Sequence, residues 1–284
     1  MKKTIVLNDN PNENEFKAIR KKKKNPENHT NVKKTIITFS THNVNGFKRN
    51  KSFLQSRCRK VKEINTIHCL QETWLKEVND LKDVHEEFEE YGKVSTKKNK
   101  KGRPHGGVAF LWNKKFSNFI IPLKNLEQEQ VKIKDRVIAI KVKDILCINT
   151  YLPCLDTSKI GEQKKEYIKT LNYIKKIIKK HSSYRVVLLG DLNCKLFDDK
   201  HHFTPYLRNF MKQCKLICTF ELCKNFNVNT DFSHTGRAGK KSLLDYVLIS
   251  KDLKSDIRRV FINHYFNNLS DHRPVSVDIE LPLD

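Results

Sequence analysis

Between Lys34 and the C-terminus, short runs of β-branched and aromatic residues recur nine times: Thr35–Phe39, Thr66–Leu70, Gly107–Trp112, Val131–Val142, Ile145–Tyr151, Arg185–Leu189, Leu244–Ile249, Arg258–Phe266 and Val275–Leu281. Each has roughly strand length and is bounded by turn residues or by a helical pattern. The clearest helix, Gln163–Lys180, carries Tyr167, Leu171, Ile174 and Ile178 at 3.6-residue spacing, with lysines on its other face. So many strands with so few helices do not suit a simple doubly wound sheet. They suit two sheets stacked face to face with helices outside, a four-layer α/β sandwich spanning residues 34–284 as one domain.

Residues 1–33 lack this periodicity. They are rich in Asn, Lys and Glu, carry the run Arg20-Lys21-Lys22-Lys23-Lys24, and are expected to form a flexible basic arm. Such an arm serves either as a nuclear-localisation or nucleic-acid-gripping tail, or merely as a solvated leader. Across the whole chain Lys and Arg number 56 against 32 Asp and Glu, a formal charge of +24. That field attracts polyanions, nucleic acid foremost and anionic membrane surface second. The aromatic content, 16 Phe, 8 Tyr and 2 Trp, excludes wholesale disorder. No apolar run approaches the ~20 residues that cross a bilayer, and the apolar stretch at the N-terminus is too short for a signal peptide. A soluble nuclear or cytoplasmic protein is expected, not a secreted one.

Eight cysteines (58, 69, 147, 154, 194, 214, 218 and 223) form no Cys-x-x-Cys pair and read as reduced, mostly buried thiols. Cys214, Cys218 and Cys223 follow His201 and His202 closely, which invites zinc. The spacing matches no standard zinc motif, and positions 214 and 218 are expected to share one helical face.

Several strands end in polar residues that a core would not require. These are Ser40-Thr41-His42-Asn43-Val44-Asn45-Gly46, Leu70-Gln71-Glu72-Thr73-Trp74, Asn149-Thr150-Tyr151-Leu152-Pro153, Gly190-Asp191-Leu192-Asn193, Leu243-Leu244-Asp245-Tyr246 and Leu269-Ser270-Asp271-His272-Arg273-Pro274. Strand ends of an α/β sandwich are where side chains converge on a shared cleft. Taken singly, Asp-Leu-Asn is commonly a turn or helix cap, and Asp245 could simply pair with a lysine. Taken in this order, the set resembles the endonuclease/exonuclease/phosphatase (DNase I-like) superfamily, from about Lys34 to Leu283. Within it, the closest resemblance is to the apurinic/apyrimidinic-type endonuclease domain of non-LTR (LINE) retrotransposons. Asn45 stands where repair enzymes carry Asp. The stretch Phe232–Leu243 lacks the Trp residues with which the repair branch helps enclose an abasic sugar.

The resemblance implies a Mg²⁺-dependent phosphodiesterase, with Mn²⁺ as a substitute, that leaves a 3′-hydroxyl and a 5′-phosphate; one metal or two stays open. Glu72 is expected to hold the cation, with Asn43 and Asp271 as adjuncts. Asp191 would orient or deprotonate the attacking water. Asn193, two residues on in an extended segment, would bond the phosphate. His272 would meet a non-bridging oxygen as an imidazolium steadied by Asp245, and Tyr151 would donate to the phosphate or leaving group. Asp271, next to His272 in an extended segment, would point the other way, toward the metal side. Lys98, Lys101 and Arg103 in one basic loop, and Arg237, Lys240 and Lys241 in a Gly-punctuated one, are expected to grip double-stranded DNA.

The expected activity is nicking of one strand of duplex DNA. The 3′-hydroxyl would prime a reverse transcriptase on a longer parent polypeptide, so the chain reads as an isolated domain or a truncated element product. Alternatives are an abasic-site repair endonuclease of the exonuclease III type, a phosphoinositide phosphatase or sphingomyelinase, and a catalytically decayed module that only binds DNA.

Overall fold

The computed structural model of the protein describes residues 2–5, 34–60, 65–95, 105–124, 133 and 135–282. The first elements are β1 (Lys2–Ile5), β2 (Lys34–Asn43), helix α1 (Phe47–Cys58), β3 (Thr66–Gln71), β4 (Phe88–Lys93) and β5 (Val108–Asn113). Then come β6 (Ile120–Pro122), β7 (Val137–Val142), β8 (Ile145–Tyr151), helix α2 (Ile160–Lys180), β9 (Arg185–Asp191), helix α3 (Thr204–Gln213) and β10 (Leu216–Cys218). A hairpin of β11 (His234–Thr235) and β12 (Lys241–Ser242) precedes β13 (Asp245–Ser250), β14 (Ile257–Asn263) and β15 (Val275–Pro282).

These strands build the two expected sheets. One runs β1-β14-β15-β2-β3-β5-β4 and the other β10-β13-β9-β8-β7-β6. Each contains one parallel pair, β2 with β3 and β8 with β9. Parallel neighbours need a crossover, and α1 and α2 supply the two.

Alternation along the strands decides what meets between the sheets. On β2, Ile37 and Phe39 enter the large core, while the next outward apolar residue, Val44, joins a second cluster with Phe53 and Leu54 of α1. Thr41 and Asn43 therefore share the inner face with Phe39. On β3, Ile67 and Cys69 face inward and Leu70 outward. α2 buries Tyr167, Leu171 and Ile174 as expected, but completes its stripe with Ile177, leaving Ile178 only partly covered. α3 packs beside it, Phe203 at its N-cap stacking on Tyr167 at 4.2 Å.

Two expectations are corrected. Cys214 and Cys218 do not share a helical face: Cys214 is the C-cap of α3, Lys215 turns the chain at φ 55, and Cys218 lies in β10. The segment expected as a flexible arm begins with β1, which pairs antiparallel with β14; residues 6–33, including Arg20–Lys24, lie outside the described residues. No helix among the described residues is long and apolar enough to cross a membrane.

Candidate active site

Strand register assembles the site. Tyr151 on β8 is level with Asp191 on β9, and Asp191 is level with Asp245 on β13, so the three lie in one row across adjacent strands. On the facing sheet, Asn43 and Gln71 are level at the ends of β2 and β3. Gly190, just before Asp191, has φ +154, and a Cβ there would lie 1.8 Å from the Thr150 carbonyl oxygen. Only glycine permits β8 and β9 to approach this closely beside the row.

Beneath it the sheets are pinned together. The Gln71 amide donates to Asn149 Oδ1 at 2.6 Å, and Asn149 Nδ2 donates to the carbonyls of Leu70 (3.0 Å) and Ala109 (2.9 Å). All these groups are buried, so the bonds satisfy polar atoms that would otherwise cost about 1–3 kcal/mol each. Gln71 and Asn149 are thus the floor of the cleft.

Above that floor runs a continuous polar chain. Asp245 Oδ2 is 2.8 Å from His272 Nδ1, and His272 Nε2 is 3.9 Å from Asp191 Oδ2. Asn43 Nδ2 donates to Asp191 Oδ2 at 2.9 Å and to Glu72 Oε1 at 3.2 Å. Residues 43, 72, 191, 245 and 272, scattered over 230 positions, form one cluster. Burial alone would depress the His272 pKa, but Asp245 and then Asp191 and Asp271 raise it to about 10, which makes the ring an imidazolium at neutral pH. Burial raises Asp191 to about 7; the His272 charge and the Asn43 bond oppose the rise, while Asp245 and Glu72 add to it. Tyr151 is pushed well above its ordinary value by burial and by the Glu72 and Asp191 charges, so it stays a phenol and a donor.

Glu72 is held in an unusual loop. Glu72 and Trp74 have φ of 49 and 52, and Asn45 and Asn193 have φ of 45 and 46. Four of the seven non-glycine residues with left-handed φ among the described residues therefore lie at this site, where strain of about 1–3 kcal/mol each is held by the surroundings. The surroundings are visible. The Thr73 and Trp74 amides donate to Gly107 and Gly106, and the Gly46 and Phe47 amides donate to Glu72 and Thr73. Trp74 Nε1 donates to Glu72 Oε2 at 3.1 Å, and its ring fills the space a Cβ on Gly46 would need. Both Glu72 oxygens are thus oriented by donors. Sequence reasoning missed this role of Trp74, although its adjacency to Glu72 was a usable signal.

The donor set suits a hard divalent cation. Glu72, Asp191 and the Asn43 amide supply oxygen atoms, and the raised pKa of Asp191 marks an excess of negative charge that a cation relieves. Asp191, Asp245 and His272 also bring ligand atoms within 4.8 Å of one another. Since His272 engages Asp245 through Nδ1 and carries a proton on both nitrogens as an imidazolium, that trio is better suited to anion binding than to metal ligation.

The remaining expected residues fall as follows. Asn193 is not in an extended segment: its left-handed turn folds the side chain back, Nδ2 donating to Leu152 O at 2.9 Å and to Asp191 Oδ2 at 3.2 Å. Neither Asp191 nor Asn193 caps a helix, since α3 starts after Phe203. Asp271 does diverge from His272. It accepts from Asn45 Nδ2 at 2.9 Å and lies 3.8 Å from His234 Nε2, and these contacts with the His272 charge hold it well below the usual carboxylate range despite burial. Asn rather than Asp at position 45 is what allows that bond. His234, whose ring is 4.6 Å from that of His272, went unnoticed because nothing around it in the sequence distinguishes it. Lys240 and Lys241 lie exposed at the β11–β12 hairpin, as does the backbone of Arg237 near them. Lys98, Lys101 and Arg103 lie outside the described residues.

Residues 145–276, which carry Asp191, Asp245 and His272, match the family model described as endonuclease-reverse transcriptase. The fold is similar to that of the AP endonuclease LMAP from Leishmania major, with TM-score 0.71 and 16% identity over 87% of this chain and 88% of that one. It is likewise similar to the 3′-5′ exonuclease NExo from Neisseria meningitidis, with TM-score 0.66 and 18% identity over 86% and 99%. An AP endonuclease from Archaeoglobus fulgidus gives TM-score 0.66 and 16% identity over the same shares. No curated protein sequence matches the chain.

Proposed function

Because the chain is a member of the DNase I-like endonuclease/exonuclease/phosphatase superfamily, by its fold and by the nuclease family model over its C-terminal half, we propose that it is a divalent-cation-dependent endonuclease that nicks one strand of duplex DNA. The observation that carries this reading is the unbroken chain Asp245–His272–Asp191–Asn43–Glu72. It joins an anion-binding imidazolium to a carboxylate suited to water and a carboxylate suited to metal.

In this reading Glu72, oriented by Trp74 and Asn43, holds Mg²⁺ or Mn²⁺ with Asn43 and Asp271 as adjuncts. When bound, the cation neutralises charge on the phosphoryl oxygens. His272, kept protonated by Asp245, binds a non-bridging oxygen of the scissile phosphate and stabilises the charge that builds there. Asp191 in its ionised form aligns the attacking water and accepts its proton. Asn193 fixes the Asp191 carboxylate and turns the chain so that the β9 end stays open to substrate. Tyr151 donates its phenolic proton toward the phosphate or the leaving oxygen. The bond from phosphorus to the 3′-oxygen breaks, leaving a 3′-hydroxyl and a 5′-phosphate. Lys240, Lys241 and Arg237 on the hairpin, and Lys98, Lys101 and Arg103, draw the duplex in.

A nick of this kind offers a primer, and the family description pairs the endonuclease with a reverse transcriptase. That pairing supports action as the target-site nicking domain of a LINE-type element, in the nucleus. The abasic-site reading is favoured by the fold likeness to AP endonucleases. Against it, Phe232 in the stretch where a sugar pocket would be lined is covered by Arg273 at 3.8 Å and Lys241 at 4.6 Å. Supercoiled plasmid incubated with Mg²⁺ or EDTA tests the proposal. Wild type with metal should give open circles, and Glu72→Ala, Asp191→Ala and His272→Ala should not. Salt-sensitive binding without nicking by wild type points to a DNA-binding module instead. A higher rate on an abasic duplex restores the repair reading, and phosphate release from lipid headgroups the lipid one.

A further inference from the structure

Beside the catalytic cluster lies a second cavity of about 310 Å³, walled by the β11–β12 hairpin on one side and the loop joining β14 to β15 on the other. It shares Asp271 with the cluster and is otherwise formed chiefly by Thr235, Tyr265, Phe266 and Arg273. The Thr235 amide donates to the Asp271 carbonyl at 2.9 Å, and Asn268 Nδ2 donates to the His272 carbonyl at 2.6 Å. Both walls are therefore tied directly to the residues that flank the reaction centre.

Three features of the cavity describe its ligand. Phe266 is 100% exposed at the rim, an aromatic face given wholly to water. Arg273 is stacked on Phe232 at 3.8 Å, yet its Nη1 is buried without a hydrogen-bond partner. Across from it stands the carboxylate of Asp271. A phosphate would satisfy the guanidinium but be repelled by the carboxylate. A planar heterocycle offering acceptors on one edge and donors on another satisfies both walls and stacks on the rim. The volume lies at the low end of the ~300–1,000 Å³ usual for small-ligand sites, enough for one base and too small for a base pair.

We infer that this cavity receives one unstacked nucleobase of the strand being cut, next to the scissile phosphate, with Phe266 stacking on it and Arg273 and Asp271 reading its edges. The inference rests on the nuclease reading above. It assigns Phe266 and Arg273 a part in choosing where the nick falls, since an easily unstacked step would be the favoured one.

The test uses the full chain and duplex oligonucleotides bearing 2-aminopurine at each position around the cut. Fluorescence is recorded with Ca²⁺ in place of Mg²⁺, under conditions where binding is seen and cleavage is not. One flanking position should brighten on binding wild type and stay dark with Phe266→Ala. In cleavage, Phe266→Ala and Arg273→Ala should each lower kcat/KM by roughly 5- to 150-fold, the range that base–aromatic stacking supports. That loss should vanish when a baseless propanediyl spacer replaces the brightening nucleotide, a coupling that a merely misfolded loop would not produce. Uniform darkness at every position, or equal losses with base and spacer, overturns the subsite. A bright position on a wild-type protein that never nicks retains the subsite and overturns the nuclease reading alone.

Discussion

Replacing Asp245 by Asn isolates the charge that keeps His272 protonated. The two side chains have the same shape, and Asn Oδ1 can still accept from His272 Nδ1, now 2.8 Å from the carboxylate oxygen. Burial works against the imidazolium, and Asp245 is the largest of the influences that raise the pKa from its ordinary 6.5 to about 10. That displacement corresponds to roughly 5 kcal/mol between the two protonation states. Without Asp245 the pKa falls toward 6.5, with Asp191 and Asp271 still pulling upward and burial pulling down. At pH 8 the charged fraction then drops from about 99% to roughly 3%, which predicts about a thirtyfold loss of kcat/KM from ionisation alone. The sign follows from the same numbers. In wild type the imidazolium is lost only as pH rises through about 10; in Asp245→Asn it is lost as pH rises through the lower pKa. Single-turnover plasmid nicking from pH 5.5 to 10 gives both curves. The variant should recover activity toward acid while wild type stays flat through the mildly alkaline range. An alkaline limb in the same place for both proteins would show that His272 does not act as a cation held by Asp245.

Other expected outcomes rest on different parts of the site. Trp74→Phe removes the donor to Glu72 Oε2 and should raise the Mg²⁺ concentration for half-maximal nicking about tenfold, with little change at saturating metal; titration of rate against Mg²⁺ checks it. Asp191, raised to about 7 without a cation, must be ionised to act, so at low Mg²⁺ the rate should climb through that pH. Added Mg²⁺ favours the carboxylate and should move this acid limb downward, and a limb indifferent to metal would separate Asp191 from the cation. Lys240→Ala with Lys241→Ala should lower the slope of log affinity against log salt by about two for any duplex sequence, measured by fluorescence anisotropy.

The strands that were legible in the sequence are the interior ones. β2, β3, β5, β7, β8, β9, β13, β14 and β15 match the nine β-branched runs, because a strand buried between neighbours must be apolar along most of its length. The four that close the sheets at their edges, β1, β4, β6 and β10, left no such run. β4 reads Phe-Glu-Glu-Tyr-Gly-Lys and has only Phe88 buried; an edge strand is short or charged so that it does not recruit another chain. α1 was missed for a related reason. It covers the outer face of its sheet with Phe47, Phe53, Leu54 and Cys58, but Asn50 and Arg57 are buried among them and break the apolar stripe.

Legibility at the site divides along a different line. Residues whose function requires a fixed chemistry at a strand end, such as Asp191, Asp245 and His272, stood out because nothing in a core would place a carboxylate or imidazole there. Their register confirms why spacing in the chain was uninformative: Asp191 and Asp245 are directly paired on antiparallel neighbours, and the long return through α3, β10 and the hairpin lies between them. What stayed hidden are the residues that act through another side chain. Trp74 looked like a core aromatic and proved to orient Glu72; Asn193 looked like a phosphate donor and proved to fold back on Asp191. His234 joined the site only because a bridge between β11 and the loop before β15 brings it against His272. Such contacts depend on left-handed turns and on pairings between distant segments, and a linear pattern contains neither. The same logic explains why the hairpin and the β14–β15 loop deserve substitution as a unit: each is anchored by backbone bonds to the Asp271–His272 segment, so a change that loosens one wall displaces the imidazole as well as the cavity beside it.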